Sequence, residues 1–199
     1  MSESVIQIDA QAEIEKIIRQ LDTLPNRLKA PSVLAAAINA AANEMKRKIG
    51  QKARKRYAIS DKKILTDKKR GGMYMERAKG ADPSATLISR GGMVEVMAYM
   101  TRKNTETTAA MLKVLNESAM TALEVDGRKA FEATFQSEHT AIVQRVGRAR
   151  LPVKSLMAPA VPMLYGKTYE EATQDYYSIL QKHIQREVER VLDGFGRAA

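Results

Sequence analysis

The chain has 199 residues, 44% of them hydrophobic, with no Trp and no Cys. That composition suits a single domain, 1–199, built on an aliphatic core, and it excludes disulfides, thiolate metal sites and cysteine catalysis. The net charge of +10 is concentrated: fourteen Lys or Arg and three acids lie within residues 46–79, leaving nineteen basic and twenty acidic residues elsewhere.

The opening MSESVIQIDAQ lacks the basic and apolar regions of a signal peptide, and no apolar run approaches the length of a membrane span. A soluble protein made in the cytoplasm is expected, with no membrane partner. Residues 12–28 carry Ile14, Ile17, Ile18, Leu21 and Leu24 at helical spacing; Pro25 weakens the last turn and Pro31 ends the segment. Ser32 is placed to cap a second helix reaching about Tyr57, with Val33, Ala37, Ala41, Met45, Ile49, Ala53 and Tyr57 along its apolar row. Residues 1–60 thus form an N-terminal helical part. Ser60 is placed to cap a short third helix, DKKILTDKK, that Gly71-Gly72 stops, and residues 68–83 are the place for a mobile loop.

Beyond Gly72 the pattern changes, and an antiparallel sheet is expected over residues 73–146. Strands are expected at 73–78, 85–89 and 93–100, with turns at GADPS and Gly91-Gly92. Residues 104–120 fit either state: Ala109, Leu112, Leu115 and Ala119 suit a helix, while Leu112 and Val114 about Lys113 suit a strand, the reading preferred here. Residues 123–125, the Asp126-Gly127 turn and residues 130–136 read as a hairpin, with Phe131, Ala133 and Phe135 on one side. Residues 140–146 follow as a strand. Residues 147–167 contain Pro152, Pro159 and Pro162 and read as an extended arm. Thr168 and Glu171 form a capping-box pattern that opens a C-terminal helix over 168–195, closed by Gly194. The fold class is therefore α+β: N-terminal helices, a central mostly antiparallel sheet and a long C-terminal helix.

Chemistry is sparse. His139 and His183 are the only imidazoles, and two distant histidines without cysteine make no metal site. The glycine pairs lack the strand-to-helix setting and the following Lys-Ser/Thr of a phosphate loop. Glu170, Glu171, Glu187 and Glu189 have basic neighbours and read as exposed helix charge. No catalytic residue, cofactor or metal is expected, and no enzyme. ARKRY and DKKR offer cations for an interface or for phosphate: Lys46, Arg47, Lys52, Arg54, Lys55, Arg56, Lys68, Lys69 and Arg70. Only Tyr57 and Tyr74 interleave with them, too few for base stacking.

Two blocks give the chain a likeness. LAAAINAAANEMKRKIGQKARKRYAIS (34–60) is an alanine-rich helix with Asn39 inside it, a basic second half and a Tyr-x-Ile-Ser exit. AFEATFQSEHTAIVQRVGRARLPVKSLMAPAVPMLYG (130–166) has a hairpin ending in Gln144-Arg145, then Arg150-Leu151-Pro152-Val153 and Ala158-Pro159-Ala160-Val161-Pro162. In both, the sequence resembles the minor tail protein Z family of tailed bacteriophages. Residues 100–125 match that family poorly. The resemblance implies a virion structural protein at the head-proximal end of the tail or in the neck. It would act in tail completion and head–tail joining as a ring, commonly six-fold, after assembly in the host cytoplasm. Its partners would be copies of itself, other tail and neck proteins and packaged DNA without sequence preference. A head-to-tail ring needs two different patches on each subunit. The basic helix and loop (46–79) supply one, and the near-neutral to acidic remainder supplies the other. Arg145, Arg148, Arg150, Leu151, Pro152, Pro159 and Pro162 supply a candidate inter-subunit arm.

The alternative is a sequence-independent nucleic-acid-binding protein that uses residues 46–79, whose affinity would fall with salt.

Overall fold

A 26-residue helix, α1 (Pro31–Arg56), organises the fold. The computed structural model describes residues 3–4, 31–79, 84–173 and 175–196. The helix expected over 12–28 lies outside the described residues. Along α1, Ala37, Ala41, Met45, Ile49 and Ala53 recur every four residues and are all buried, flanked by buried Ile38 and Ala42. So regular an apolar row, three of its five residues alanine, lets neighbouring helices approach closely. Pro31 opens the helix, where its fixed φ fits and its missing N–H costs nothing. Ser32 therefore lies inside the first turn and is not the cap.

The far end of α1 is closed from another part of the chain. The Asn116 side-chain amide donates to the carbonyls of Arg54 (3.1 Å), Lys55 (2.9 Å) and Tyr57 (3.2 Å), and its backbone N–H donates to Arg56 (2.9 Å). These are the carbonyls that a helix C-terminus leaves without partners. Asn39, midway along α1, makes a reciprocal pair with the backbone of Ala78, accepting from its N–H (2.9 Å) and donating to its carbonyl (3.1 Å).

The chain then runs through two 3-10 turns, Lys62–Leu65 and Lys68–Arg70, in place of the expected third helix. Asp61 and Asp67 cap them by accepting from the Lys63 and Lys69 N–H groups, so Ser60 is not the cap. Gly71 ends the second turn with φ 97°, a conformation that favours glycine. A Cβ on Gly72 would lie 2.6 Å from the Thr66 carbonyl carbon, and one on Gly91 would lie 2.8 Å from the Gly71 Cα. The two glycine pairs are thus more than turns: Gly91 packs on Gly71. Residues 68–79, expected as a loop, contain that second turn and a strand.

The strands are short. β1 (Glu3–Ser4), β2 (Tyr74–Glu76) and β3 (Thr86–Arg90) form a sheet in the order β1-β3-β2. The N-terminal part is therefore not wholly helical. The third expected strand, 93–100, is broken: β4 (Val94–Glu95) leads into a 3-10 turn at Val96–Ala98, and β5 (Met100–Arg102) follows. The break buries Val96, Ala98 and Tyr99 together, which a period of two would not. β5, β6 (Met111–Lys113) and β7 (Thr121–Ala122) pair in sequence, so the preferred strand within 104–120 exists but is three residues long. β8 (Glu124–Val125) and β9 (Arg128–Lys129) flank the Asp126-Gly127 turn, both of whose residues have positive φ (54° and 69°). β10 (Phe131–Thr134), β11 (Thr140–Arg145) and β12 (Val153–Ser155) form the last three-stranded sheet, and β13 (Met157–Ala158) pairs with β4. All pairings are antiparallel. The alternation expected in β10 does not sort its side chains: Phe131, Glu132 and Ala133 are all half-buried, and Phe135 is exposed.

Residues 147–167 are not an extended arm. They form β12, β13 and the first half of α2 (Val161–Thr173), with buried Val161, Pro162, Leu164 and Tyr165 facing the core. Thr168 is the eighth residue of α2, buried, and its hydroxyl donates to the carbonyls of Leu164 and Tyr165, so it caps nothing. A second helix, α3 (Tyr176–Gly196), runs past Gly194. One cluster of buried residues joins α1, Ile64, Leu65, Leu87, Tyr99, Ile142, Leu164, Tyr165, Ile179 and Leu180.

Candidate functional site

The basic residues of α1 fall into two groups by what they face. Glu44, Lys48, Lys52 and Arg56 recur every fourth residue and share one face. Glu44 accepts from His183 at 2.9 Å and lies 3.8 Å from Lys182. Lys48 pairs with Asp175 at 3.5 Å. Lys52 donates to the Glu171 backbone carbonyl at 2.9 Å and lies 4.0 Å from its carboxylate, which is 3.8 Å from Arg56. The row therefore ties α1 to α2 and to the start of α3, which runs antiparallel beside it. The hydrogen bond with His183 holds the Glu44 carboxyl below its ordinary value. Arg56 also stacks over the Tyr57 ring at 6.0 Å, and its buried Nε has no hydrogen-bond partner.

Lys46, Arg47 and Arg54 lie elsewhere on the helix surface, and among the described residues they make no ion pair. They line a groove of about 340 Å³ whose bottom is formed by Leu65, Met73 and Tyr165. The Tyr165 hydroxyl is spent on the Leu65 carbonyl (3.0 Å), and burial pushes its phenol up to about 12. Gly50 also borders the groove, and among the described residues nothing lies within 4 Å of where its Cβ would be. A glycine inside a helix costs roughly 1 kcal/mol against alanine. At this position no close contact among the described residues requires it.

Of the remaining expected contacts, Lys55 faces a smaller recess shared with Glu117 and Glu171, so the charge there is mixed. Lys68 sits 4.0 Å from the centre of the Tyr74 ring, and Lys69 is exposed. Arg70 is paired with Asp61, whose carboxyl that bond holds below its ordinary value. The nine cations therefore do not form one surface.

The residues expected on an inter-subunit arm scatter likewise. Arg145 closes β11 with its guanidinium 5.8 Å from the Phe131 ring. Arg148, Arg150, Leu151 and Pro152 belong to the exposed connection from β11 to β12, which the Val146 N–H to Pro152 carbonyl bond closes at 3.0 Å. Pro159 is exposed, and its carbonyl accepts from the Tyr99 hydroxyl (3.2 Å). Pro162 is buried in the first turn of α2, against Gly71. Of these seven residues Pro162 is buried and the other six are exposed.

No family model, characterised protein or solved structure matches this chain.

His139 is bound to Glu95 at 2.9 Å and stacks on Phe135, so each imidazole is engaged with a carboxylate. Among the described residues no three His, Asp or Glu side chains gather as a metal site would need. No described helix is long and apolar enough to cross a membrane. Sequence reasoning missed three features: the Asn116 cap, the carboxylates that neutralise one face of α1, and the gap at Gly50. The spacing 44-48-52-56 was readable as a face, but its partners lie more than a hundred residues away.

Proposed function

We propose that this chain is a structural protein of a tailed-phage virion, located at the head-proximal end of the tail or in the neck. It completes the tail and helps join it to the head by assembling with copies of itself into a ring, and it works by surface complementarity without a bond-making centre. The likeness of residues 34–60 and 130–166 to the minor tail protein Z family supports this reading. The observation that carries it is the division of α1 into a face neutralised within the chain and a face whose cations have no partner among the described residues. Unneutralised cations over a recessed floor suit an anionic partner that comes from outside the chain.

The test is a phage in which the gene for this chain is silenced. Tails that accumulate without heads, restored by supplying the chain, are expected. Infectious particles formed at normal yield without it would remove the reading.

A second reading is favoured by Lys62, Lys63 and Lys69, which are exposed in the 3-10 turns: sequence-independent binding of nucleic acid. Duplex binding measured at several salt concentrations would then weaken steeply with added salt. No binding at low salt rejects it.

A further inference from the structure

We infer that the groove over Gly50 receives the tip of the β8–β9 hairpin of a second copy of this chain. The inference rests on the ring reading and names its two unlike patches. A head-to-tail contact requires a recess and a projection that differ, and these two share no residue.

The groove is recessed, and its bottom is apolar (Leu65, Met73, Tyr165). Its walls are the stems and charges of Lys46, Arg47 and Arg54. Among the described residues nothing lies within 4 Å of where a Gly50 Cβ would be, which leaves room there for an incoming group to approach the helix backbone. Such a recess fits an apolar side chain flanked by carboxylates. A phosphate backbone would use the cations and leave the floor empty, which favours a protein occupant over nucleic acid.

The hairpin tip supplies that chemistry. Val125 is 55% exposed, a large fraction for an apolar side chain, and it stands between Glu124 and Asp126. Glu124 is exposed and makes no ion pair among the described residues. The Asp126 side chain is 74% exposed while paired with Arg128. The cations of the hairpin are turned back towards their own chain: Arg128 donates to the Val146 carbonyl and Lys129 to the Thr107 carbonyl. The tip thus presents a valine beside one carboxylate without an ion pair among the described residues, Glu124, and a second, Asp126, shared with Arg128. Glu124 precedes Val125 on β8, and Asp126 follows it in the turn with φ 54°. Lys46 and Arg54 start about 12 Å apart along the axis of α1, and their long stems can close in from both ends.

The absence of cysteine makes the contact directly testable. Gln51→Cys, on the groove, and Val125→Cys, on the tip, are prepared as two separate full-length proteins, mixed and oxidised, so that only a contact between copies can form the mixed disulfide. Ser137→Cys, on the exposed tip of the β10–β11 hairpin, replaces Val125→Cys as the control. The 51–125 product is expected on the order of tenfold above the 51–137 product, because a formed contact raises the local concentration well above bulk. Arg54→Glu in the groove protein or Glu124→Arg in the tip protein should each abolish that excess, and combining them should restore part of it. Yields equal to the control, or no rescue, overturn the contact. Sedimentation of the cysteine-free parent separates the causes. Copies that associate without the 51–125 disulfide leave the ring reading standing with a different interface. A parent that stays monomeric overturns this contact, and the ring is then judged on particles. Duplex DNA that binds the parent and is lost with Arg54→Glu, in the absence of the disulfide, assigns the groove to nucleic acid and also overturns it.

Discussion

Two faces of one helix carry similar residues and lead to different conclusions. On one, Glu44, Lys48, Lys52 and Arg56 meet His183, Asp175 and Glu171 and hold the C-terminal helices in place. On the other, Lys46, Arg47 and Arg54 surround a position without a side chain and meet no acid among the described residues. A count of basic residues treats both as one patch. The contrast shows that the function of a cation is set by what reaches it from elsewhere in the chain.

The sharpest way to break the contrast is at two adjacent residues. Ile49 is wholly buried, so Ile49→Ala should cost about 3 kcal/mol in urea unfolding, from lost burial and the cavity left behind. Gly50→Ala, one residue on, should raise stability by about 0.5–1 kcal/mol, because none of the described residues crowds the new methyl and helix propensity improves. A loss of stability at position 50 would mean that the groove is closed in solution.

Next in size is the cap. Asn116→Ala removes three donations to the end of α1 and should cost about 1–2 kcal/mol, read as a lower urea midpoint. No change would mean that water replaces those bonds freely. That side chain illustrates what was legible. The helix itself, its buried row and the hairpin turn at Asp126-Gly127 follow from local periodicity and turn chemistry, and so does the α+β class. The cap does not, because residue 116 lies in a stretch of mixed pattern about sixty positions from the carbonyls it serves. The same limit explains the proline segment: Pro159 and Pro162 suggest an extended chain, yet Val161 and Leu164 reach the core only from a helix. Thr168 has the spacing of a cap, but it lies mid-helix, where its hydroxyl returns to the preceding turn. The site was legible only as a basic segment, since pairing of its cations depends on Glu171, Asp175 and His183.

The neutralised face should respond to acid in a defined direction. The Glu44 carboxyl is held below its ordinary 4.5, chiefly by the His183 hydrogen bond. Its contribution is therefore fully present above that pH and is lost as pH falls through the lower folded value. The difference in urea unfolding between the parent and Glu44→Gln should shrink as pH falls below the ordinary 4.5. A difference that persists unchanged at low pH would mean that the pair contributes no charge-dependent stability.

The smallest effects separate the faces functionally. Glu171→Gln should change stability by about 0.5 kcal/mol or less, since its pairs are half-exposed. Arg54→Glu should leave the urea midpoint nearly unchanged and yet abolish association between copies. If Arg54→Glu unfolds the chain, the cation belongs to the fold and not to an interface.

Imaging of the phage particle's neck, with this chain located by an attached label, tests the central claim most directly. A closed ring of copies at the head-proximal end of the tail is the expected result. Intact, infectious particles from which the chain is absent would contradict it.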